Sequence, residues 1–317
     1  VKVCHVSFDM TEFAKSCVTQ YLDVAGEVLQ QHTSSTTAHD KAKTEARRLL
    51  NLPYAPTPFI EDVDTDNDEE EGGMLSSIAL SVIMKIMYMA RVARPDLLRA
   101  VTGLSSAVTR WRPHHDRCLR RLVAYIQTTK DMVMTATIGD DIHNVILQTF
   151  VDSDYAGDQT TLKSTSGGWL ELSGPNTRFV IDFVSKRQAV VSRSSTEAEV
   201  VAADTVIRRN TLPMATLLEM IQDVPPLSST FSVFEDNQAA LINLMGSGPS
   251  KELRHLNRTH KISLRFLQDV CKLNNVLVSY LASEMNSADP FTKAFTDVLK
   301  WRNCLELISM KMADKPT

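Results

Sequence analysis

The sequence predicts an α/β fold: a mixed five-stranded sheet flanked by helices, preceded by a small all-helical subdomain. Three observations predict it. From about residue 138, strand-like runs alternate with helical ones in the order β-β-β-α-β-α-α-β-α, and a meander followed by alternating elements makes a mixed sheet. Residues 76–137, in contrast, show only helical periodicity. The 317 residues are 43% apolar and 23% charged, an ordinary globular composition with room for two domains.

Residues 1–60 are mixed. "FAKSCVTQYLDVA" reads as a helix, "HTSSTTAHDKAK" is polar and weakly structured, and "LPYAPTPF", with Pro53, Pro56 and Pro58, reads as an extended loop. The acidic run "EDVDTDNDEEE" fails as a calcium loop. Counted from Asp62, the sixth place is Asn67 rather than Gly, and the twelfth is Gly73 rather than Glu. A disordered acidic linker over 61–75 is expected instead. From 76, Ile78, Val82, Ile86 and Ala90 recur at i+4; Pro95–Asp96 restarts the helix; Leu97, Val101, Leu104 and Val108 form a second stripe. A third helix turns Leu119, Leu122, Val123 and Ile126 inward and leaves Arg112, Arg117, Arg120 and Arg121 outward.

The formal net charge of −4 conceals an asymmetry. Residues 1–75 carry −8, residues 76–131 carry +7 and the remainder −3. A basic block of that density is a candidate phosphate-facing surface. Five dispersed cysteines without CxxC spacing argue against a disulfide framework or zinc site, and for a reducing compartment. The longest apolar stretch, Ile78–Ala90, contains Lys85 and is too short to span a bilayer, so no membrane partner is expected. The first residue is Val and no signal peptide follows, so the chain reads as a piece of something longer.

Beyond 138, strands are expected at 145–152, 167–172 and 178–186. A long helix follows from about 195, with Ser194 and Glu197 as a capping box and Pro213 as its kink or end. Then come a strand at 230–236, a helix from Gln238, a helix near 258–272, a strand at 276–282 and a last helix opened by "NSADPFTKAF". In this order four acids fall at element ends that can meet. Asp152 ends the first strand, Glu199 lies in the first turns of the long helix, Asp236 ends the strand "FSVFED", and Asp289 opens the last helix. Taken singly, each is an ordinary turn or cap residue. Together at one sheet edge they would repel unless cations neutralised them, and hard oxygen ligands suit Mg²⁺ or Mn²⁺. Two such ions can activate a water and stabilise a leaving oxygen in phosphodiester cleavage.

At these residues the chain resembles copia-type LTR-retrotransposon Pol polyproteins. The segments are "VDSDYAGD", "KSTSGGWLELSG", "SKRQAVVSRSSTEAEVVAA", "EDNQAALI", "RTHKISLRFLQ" and "ADPFTKAF", and upstream "MKIMYMARVARPDLLRAVTGLSS" and "RLVAYIQTTKD". The resemblance implies a C-terminal fragment comprising the reverse transcriptase connection and a ribonuclease H domain. The implied layout is a reverse transcriptase remnant at 1–60, the linker at 61–75, the connection at 76–137, the ribonuclease H domain at 138–297 and a tail at 298–317. It implies cleavage of RNA in an RNA–DNA hybrid by a two-metal mechanism, with Asp152, Glu199, Asp236 and Asp289 as catalytic metal ligands. His260 or His255 would supply a mobile basic group, since the family's "RTKH" stands here as "RTHK". Asp182 stands where the family usually has an aromatic. Lys163, Ser164, Lys186 and Arg258 join the four outward arginines as candidate nucleic-acid contacts. Partners would be the hybrid and the upstream reverse transcriptase domain of the same polyprotein; the setting would be intracellular, the cytoplasm (in virus-like particles) and the nucleus. "FVDSD" as a polymerase motif is disfavoured because Ser153 separates the acids. The rival from another class is an inert retroelement remnant that only binds nucleic acid through the basic block.

Overall fold

The computed structural model describes residues 2–33, 40–60, 72–158, 161–225, 230–246 and 253–313; the acidic run at 61–71 lies outside them. The chain divides into two compact units, Val1–Ser7 with Thr135–Lys293, and Phe8–Met134 with Ala294–Thr317.

The second unit is mainly helical: α1 (Thr11–Thr33), α2 (Asp40–Leu50), α3 (Ser76–Val92), α4 (Leu98–Ala107) and α5 (Pro113–Thr128). The i+4 stripe of α3 is inward as expected, with Val82, Ile83, Ile86 and Ala90 buried. Helix α1 packs against α2, α3 and α5, so the helix expected early in the chain belongs to the same body as the three that follow. Its interior holds a polar network. The buried Arg94 guanidinium donates to both Asp96 oxygens (2.9 and 2.8 Å) and to Thr129 O, and Tyr125 Oη donates to Asp96 Oδ2 at 2.9 Å. Two of the four arginines expected to point outward are tied down. Arg120 Nε donates to Asn51 O and Arg121 Nε to Thr57 O, each at 2.7 Å, so they hold the proline-rich loop.

The first unit is the mixed sheet. Its strands are β1 (Cys4–Phe8), β2 (Met132–Ile138), β3 (Ile146–Asp158), β4 (Lys163–Gly174), β5 (Thr177–Arg187), β6 (Phe231–Glu235) and β7 (Val276–Tyr280), in the order β1-β2-β5-β4-β3-β6-β7. β3, β4 and β5 form the antiparallel meander; β6 runs parallel to β3 and β7 parallel to β6. The five strands read from sequence are therefore present in a mixed sheet, and β1 and β2 extend it beyond β5.

Helix α6 (Ser195–Val206) packs on β3 and β4 and places Val200, Ala203 and Val206 in the core. Ser194 Oγ accepts from Glu197 N at 3.2 Å, the expected cap. Pro213 does not end the helix: a π turn at Ile207–Thr211 absorbs the disrupted hydrogen bonding, and α7 (Leu212–Gln222) continues with Pro213 in its first turn. Asp182 sits at a bulge, since Leu170 pairs with Asp182 but Glu171 with Val180. Its Oδ2 accepts from Asn210 Nδ2 of the π turn at 2.7 Å, which accounts for an acid in that strand.

Three expected elements differ. The strand expected at 167–172 begins earlier, at Lys163, so "KSTSGG" is part of β4. The helix near 258–272 is two, α9 (Leu256–Thr259) and α10 (Leu264–Cys271), separated at Lys261, whose φ of 60° no helix can hold. Asp289 opens only a 3₁₀ turn, Asp289–Phe291; the α-helix begins later, at Val298, capped by Asp297. The remaining elements, α8 (Gln238–Met245) in the first unit and α11 (Val298–Leu307) and β8 (Met310–Met312) in the second, complete the order.

Candidate functional site

The two glycines of "SGGW" prepare the site. Gly167 and Gly168 are consecutive in β4, so their absent side chains face opposite sides of the sheet. A Cβ on Gly168 would lie 2.6 Å from Val206 of α6; one on Gly167 would lie 2.5 Å from Thr292 and 3.0 Å from Ala288 O. Glycine therefore lets α6 close on one face and the Asp289 turn on the other. Gly167 pairs directly with Asp152. On the same face as the Asp289 turn, Trp169, Phe183 and Phe291 stack with centroids 5.8–5.9 Å apart, which fixes that turn against the sheet. Trp169 is thus a packing residue, fully buried.

Asp152, Glu199 and Asp236 converge: each offers an oxygen lying within 4.8 Å of the others. Asp152 is 1% exposed and Glu199 6%, whereas Asp236 is half-buried. Asp289 adjoins this trio from the Asp152 side. Lys293 Nζ lies 2.7 Å from Asp289 Oδ1 and 3.2 Å from Asp152 Oδ1. Thr292 Oγ1 donates to Asp152 Oδ2, and Ser283 Oγ donates to Asp289 Oδ2 at 3.1 Å. A fifth acid, Glu235, is fully buried beside Glu199; its Oε1 accepts from Asn237 N at 3.1 Å. Glu199 Oε2 and Glu235 Oε2 are buried without a hydrogen-bond partner among the described residues.

Burial dominates the electrostatics, and repulsion between the acids adds to it. Burial, with Glu235, Asp152 and Asp236 nearby, pushes the Glu199 carboxyl up to about 11. Burial and Asp152 push Asp289 up to about 7 against the pull of Lys293. Asp152 is raised by burial and held back by Lys293 and Thr292, and Glu235 is raised well above the usual carboxylate range, first by burial. Acids that converge within 4.8 Å, Asp152 and Glu199 among them buried, are chemically suited to a hard divalent cation, which would neutralise their charge.

The structure does not bring His260 to the carboxylates as a mobile base. Its side chain is 3% exposed, and its Nε2 lies 2.9 Å from Glu197 Oε1; His255 Nε2 lies 3.0 Å from the other Glu197 oxygen. Both imidazoles brace the buried acid two residues before Glu199. Of the candidate nucleic-acid contacts in this unit, Ser164 is buried and its Oγ accepts from Ala156 N at 3.1 Å, Lys163 is half-buried, and Lys186 and Arg258 are exposed. Arg208 and Arg209 stand close enough to Lys186 to depress its ammonium, after burial itself. In the other unit, Arg112 is exposed and Arg117 half-buried. The other acids of "DSDYAGD" serve the hairpin: Asp154 accepts from Thr165 N, and Asp158 pairs with Arg187 at 3.0 Å.

Glu235, Thr292 and Lys293 were not singled out from sequence, and Glu197 was singled out only as a helix-cap residue, not as the acid the histidines brace. Glu235 shares the inward strand face of Phe231 and Val233, and Lys293 stands four residues after Asp289; both signals are present in the sequence.

No protein-family profile matches the chain. The retrovirus-related Pol polyprotein from transposon TNT 1-94 of Nicotiana tabacum is 29% identical over 245 residues, 76% of this chain and 17% of that polyprotein. The corresponding polyprotein from transposon RE2 of Arabidopsis thaliana is 33% identical over 118 residues, 37% of this chain and 8% of that one. Secreted RxLR effector protein 161 of Plasmopara viticola is 36% identical over 123 residues, 39% of this chain and 82% of the effector. The chain thus spans about one sixth of the tobacco polyprotein's length. Among solved structures, LC11-RNase H1 is 15% identical, with 47% of this chain and 93% of that one covered, at a TM-score of 0.31, too distant to add to the topology described above. The chain is thus similar, over up to three quarters of its length, to retrovirus-related Pol polyproteins of plant transposons.

Proposed function

We propose that the chain is a ribonuclease H that hydrolyses the RNA strand of an RNA–DNA hybrid during reverse transcription, with Mg²⁺ or Mn²⁺ as cofactor and two ions engaged during cleavage. The observation that supports this most is the convergence of Asp152, Glu199 and Asp236 within 4.8 Å of one another, with Glu199 Oε2 unpartnered in a site 94% or more buried at Glu199 and Asp152. Asp152, Glu199 and Asp236 would hold one ion, and Asp152 with Asp289 the other.

When bound, such ions would sharpen a water as nucleophile and stabilise the leaving oxygen. The protein's own contributions are the rest. The sheet fixes Asp152 through Gly167, α6 fixes Glu199 through the Glu197–histidine brace, and the Trp169–Phe183–Phe291 stack fixes the Asp289 turn. Lys186, Arg208, Arg209 and Arg258 would take the phosphates of the hybrid; in this reading Ser164 and His260 act by holding the scaffold. The reading carries with it an intracellular setting and a polymerase domain that delivers the hybrid.

The test uses the purified chain and end-labelled duplexes: RNA–DNA, RNA–RNA and DNA–DNA. Cutting of only the RNA strand of the hybrid, in Mg²⁺ and not in EDTA, is expected. Cutting that survives EDTA, or no cutting by a folded chain that binds the hybrid, would overturn it.

A further inference from the structure

A cation of the chain itself already stands in the acidic cluster. Lys293 Nζ has three donors and three acceptors around it: Asp289 Oδ1 at 2.7 Å, Asp152 Oδ1 at 3.2 Å and Ser283 Oγ at 3.2 Å. The remaining oxygens of these two acids are also engaged, by Thr292 Oγ1 on Asp152 and by Ser283 Oγ on Asp289. The Asp152–Asp289 side is therefore saturated by groups of the protein. The side formed by Asp152, Glu199 and Asp236 differs: acids converge there, and the buried Glu199 Oε2 has no hydrogen-bond partner among the described residues. The cluster has one half that carries its own cation and one half that calls for a foreign one.

We propose that Lys293 is a built-in cation for the Asp152–Asp289 half of the cluster. The protein alone then binds one divalent ion, at Asp152, Glu199 and Asp236, and admits a second beside Asp289 only when the ammonium swings out. The inference rests on the metal-centre reading of the cluster.

Three physical points carry it. An ammonium and a divalent ion cannot share Asp289 Oδ1, because Mg²⁺ needs its ligands at about 2.0–2.1 Å and the two cations would repel at contact distance. The lysine can leave: its side chain is 34% exposed, and a flexible four-carbon stem can carry the head outward while its methylenes stay packed. An anion arriving at the cluster gives it somewhere to go, and a nucleic-acid phosphate is such an anion. Filling of the second half is thereby linked to the presence of substrate, which would keep the protein from holding both ions before a phosphate is in place.

The experiment counts ions rather than products. The full chain is titrated with Mn²⁺ and bound ion is read by electron paramagnetic resonance, for wild type, Lys293→Met and Asp236→Asn, with circular dichroism confirming folding. One ion on wild type and two on Lys293→Met are expected, and Asp236→Asn should lose the first. Adding a hybrid whose RNA strand is chemically protected from cleavage should raise the wild-type count from one to two. Two ions of similar affinity on wild type without nucleic acid would overturn the proposal. So would a single ion on folded Lys293→Met, or a wild-type count that stays at one with hybrid. If Lys293→Met does not fold, the two wild-type counts decide alone. No ion on folded wild type under any condition would instead sink the metal-centre reading itself.

Discussion

Replacing Glu199 by Gln should make the metal-free protein more stable while removing a metal ligand. The Glu199 carboxyl titrates near 11 when folded, against an ordinary value of 4.5, chiefly through burial and then through Glu235, Asp152 and Asp236. An acid raised in this way gives its full support to the fold below 4.5, and that support is lost as pH climbs from about 4.5 towards 11. By pH 7 the loss amounts to about 3 kcal/mol. Gln keeps the shape and cannot ionise, so it escapes the loss. In EDTA at pH 7 the variant should be more stable by up to ~3 kcal/mol, which for a domain of this class raises Tm by about 6–12 °C. Near pH 5 the difference should shrink to about 1 kcal/mol or less. Mg²⁺ should then raise the Tm of wild type and leave the variant nearly unmoved. Thermal melts at the two pH values, with EDTA and with Mg²⁺, test all three statements. A variant no more stable than wild type at pH 7, or a difference that does not change with pH, would refute the reasoning.

Gly167→Ala should depress cleavage by about tenfold or more while hybrid binding persists, because its Cβ meets Ala288 O and Thr292 and must push the Asp289 turn away from Asp152; single-turnover rates against binding constants check it. Arg94→Ala should cost the helical unit about 3–5 kcal/mol in denaturant unfolding, since it strands the buried Asp96 beside Tyr125. His260→Ala should cost about 1–3 kcal/mol by leaving one oxygen of the buried Glu197 without its partner, with the cleavage rate per folded molecule changed far less than by any substitution of the four acids.

What was legible in the sequence was the kind of signal a single element carries. A strand run carrying Asp152, a Ser194 cap before a helix with Glu199 on its inner face, and the strand leading to Asp236 each have local periodicity; the first strand runs on to Asp158 instead of ending at Asp152, and the last stops at Glu235, one residue before Asp236. What was not legible depends on contacts between elements. Why β4 carries Gly167 and Gly168 shows only when the helix and the Asp289 turn are seen pressing on its two faces. Lys293 looks like a solvated lysine until Asp152, 141 positions earlier in the chain, arrives beside it. Glu235 follows strand alternation inward, against the usual expectation that an unpaired acid stays out. "MVMTATI" has β-branched residues but a broken alternation, and its pairing with β5 rests on Thr137 opposite Arg178. The expected single helix over 258–272 fails at Lys261, because a left-handed residue leaves no trace in apolar spacing.

The central claim is that the acid cluster does the cutting, and Asp236→Asn tests it most directly. Asp236 is the least buried of the converging trio, so the substitution should leave the fold intact. Wild type and Asp236→Asn are compared on a labelled RNA–DNA hybrid in Mg²⁺, with hybrid binding and RNA-strand cleavage measured on the same preparations. The account predicts unchanged binding and a loss of cleavage on the order of 10³-fold, about 4 kcal/mol of transition-state stabilisation. Cleavage by Asp236→Asn at close to the wild-type rate would contradict it.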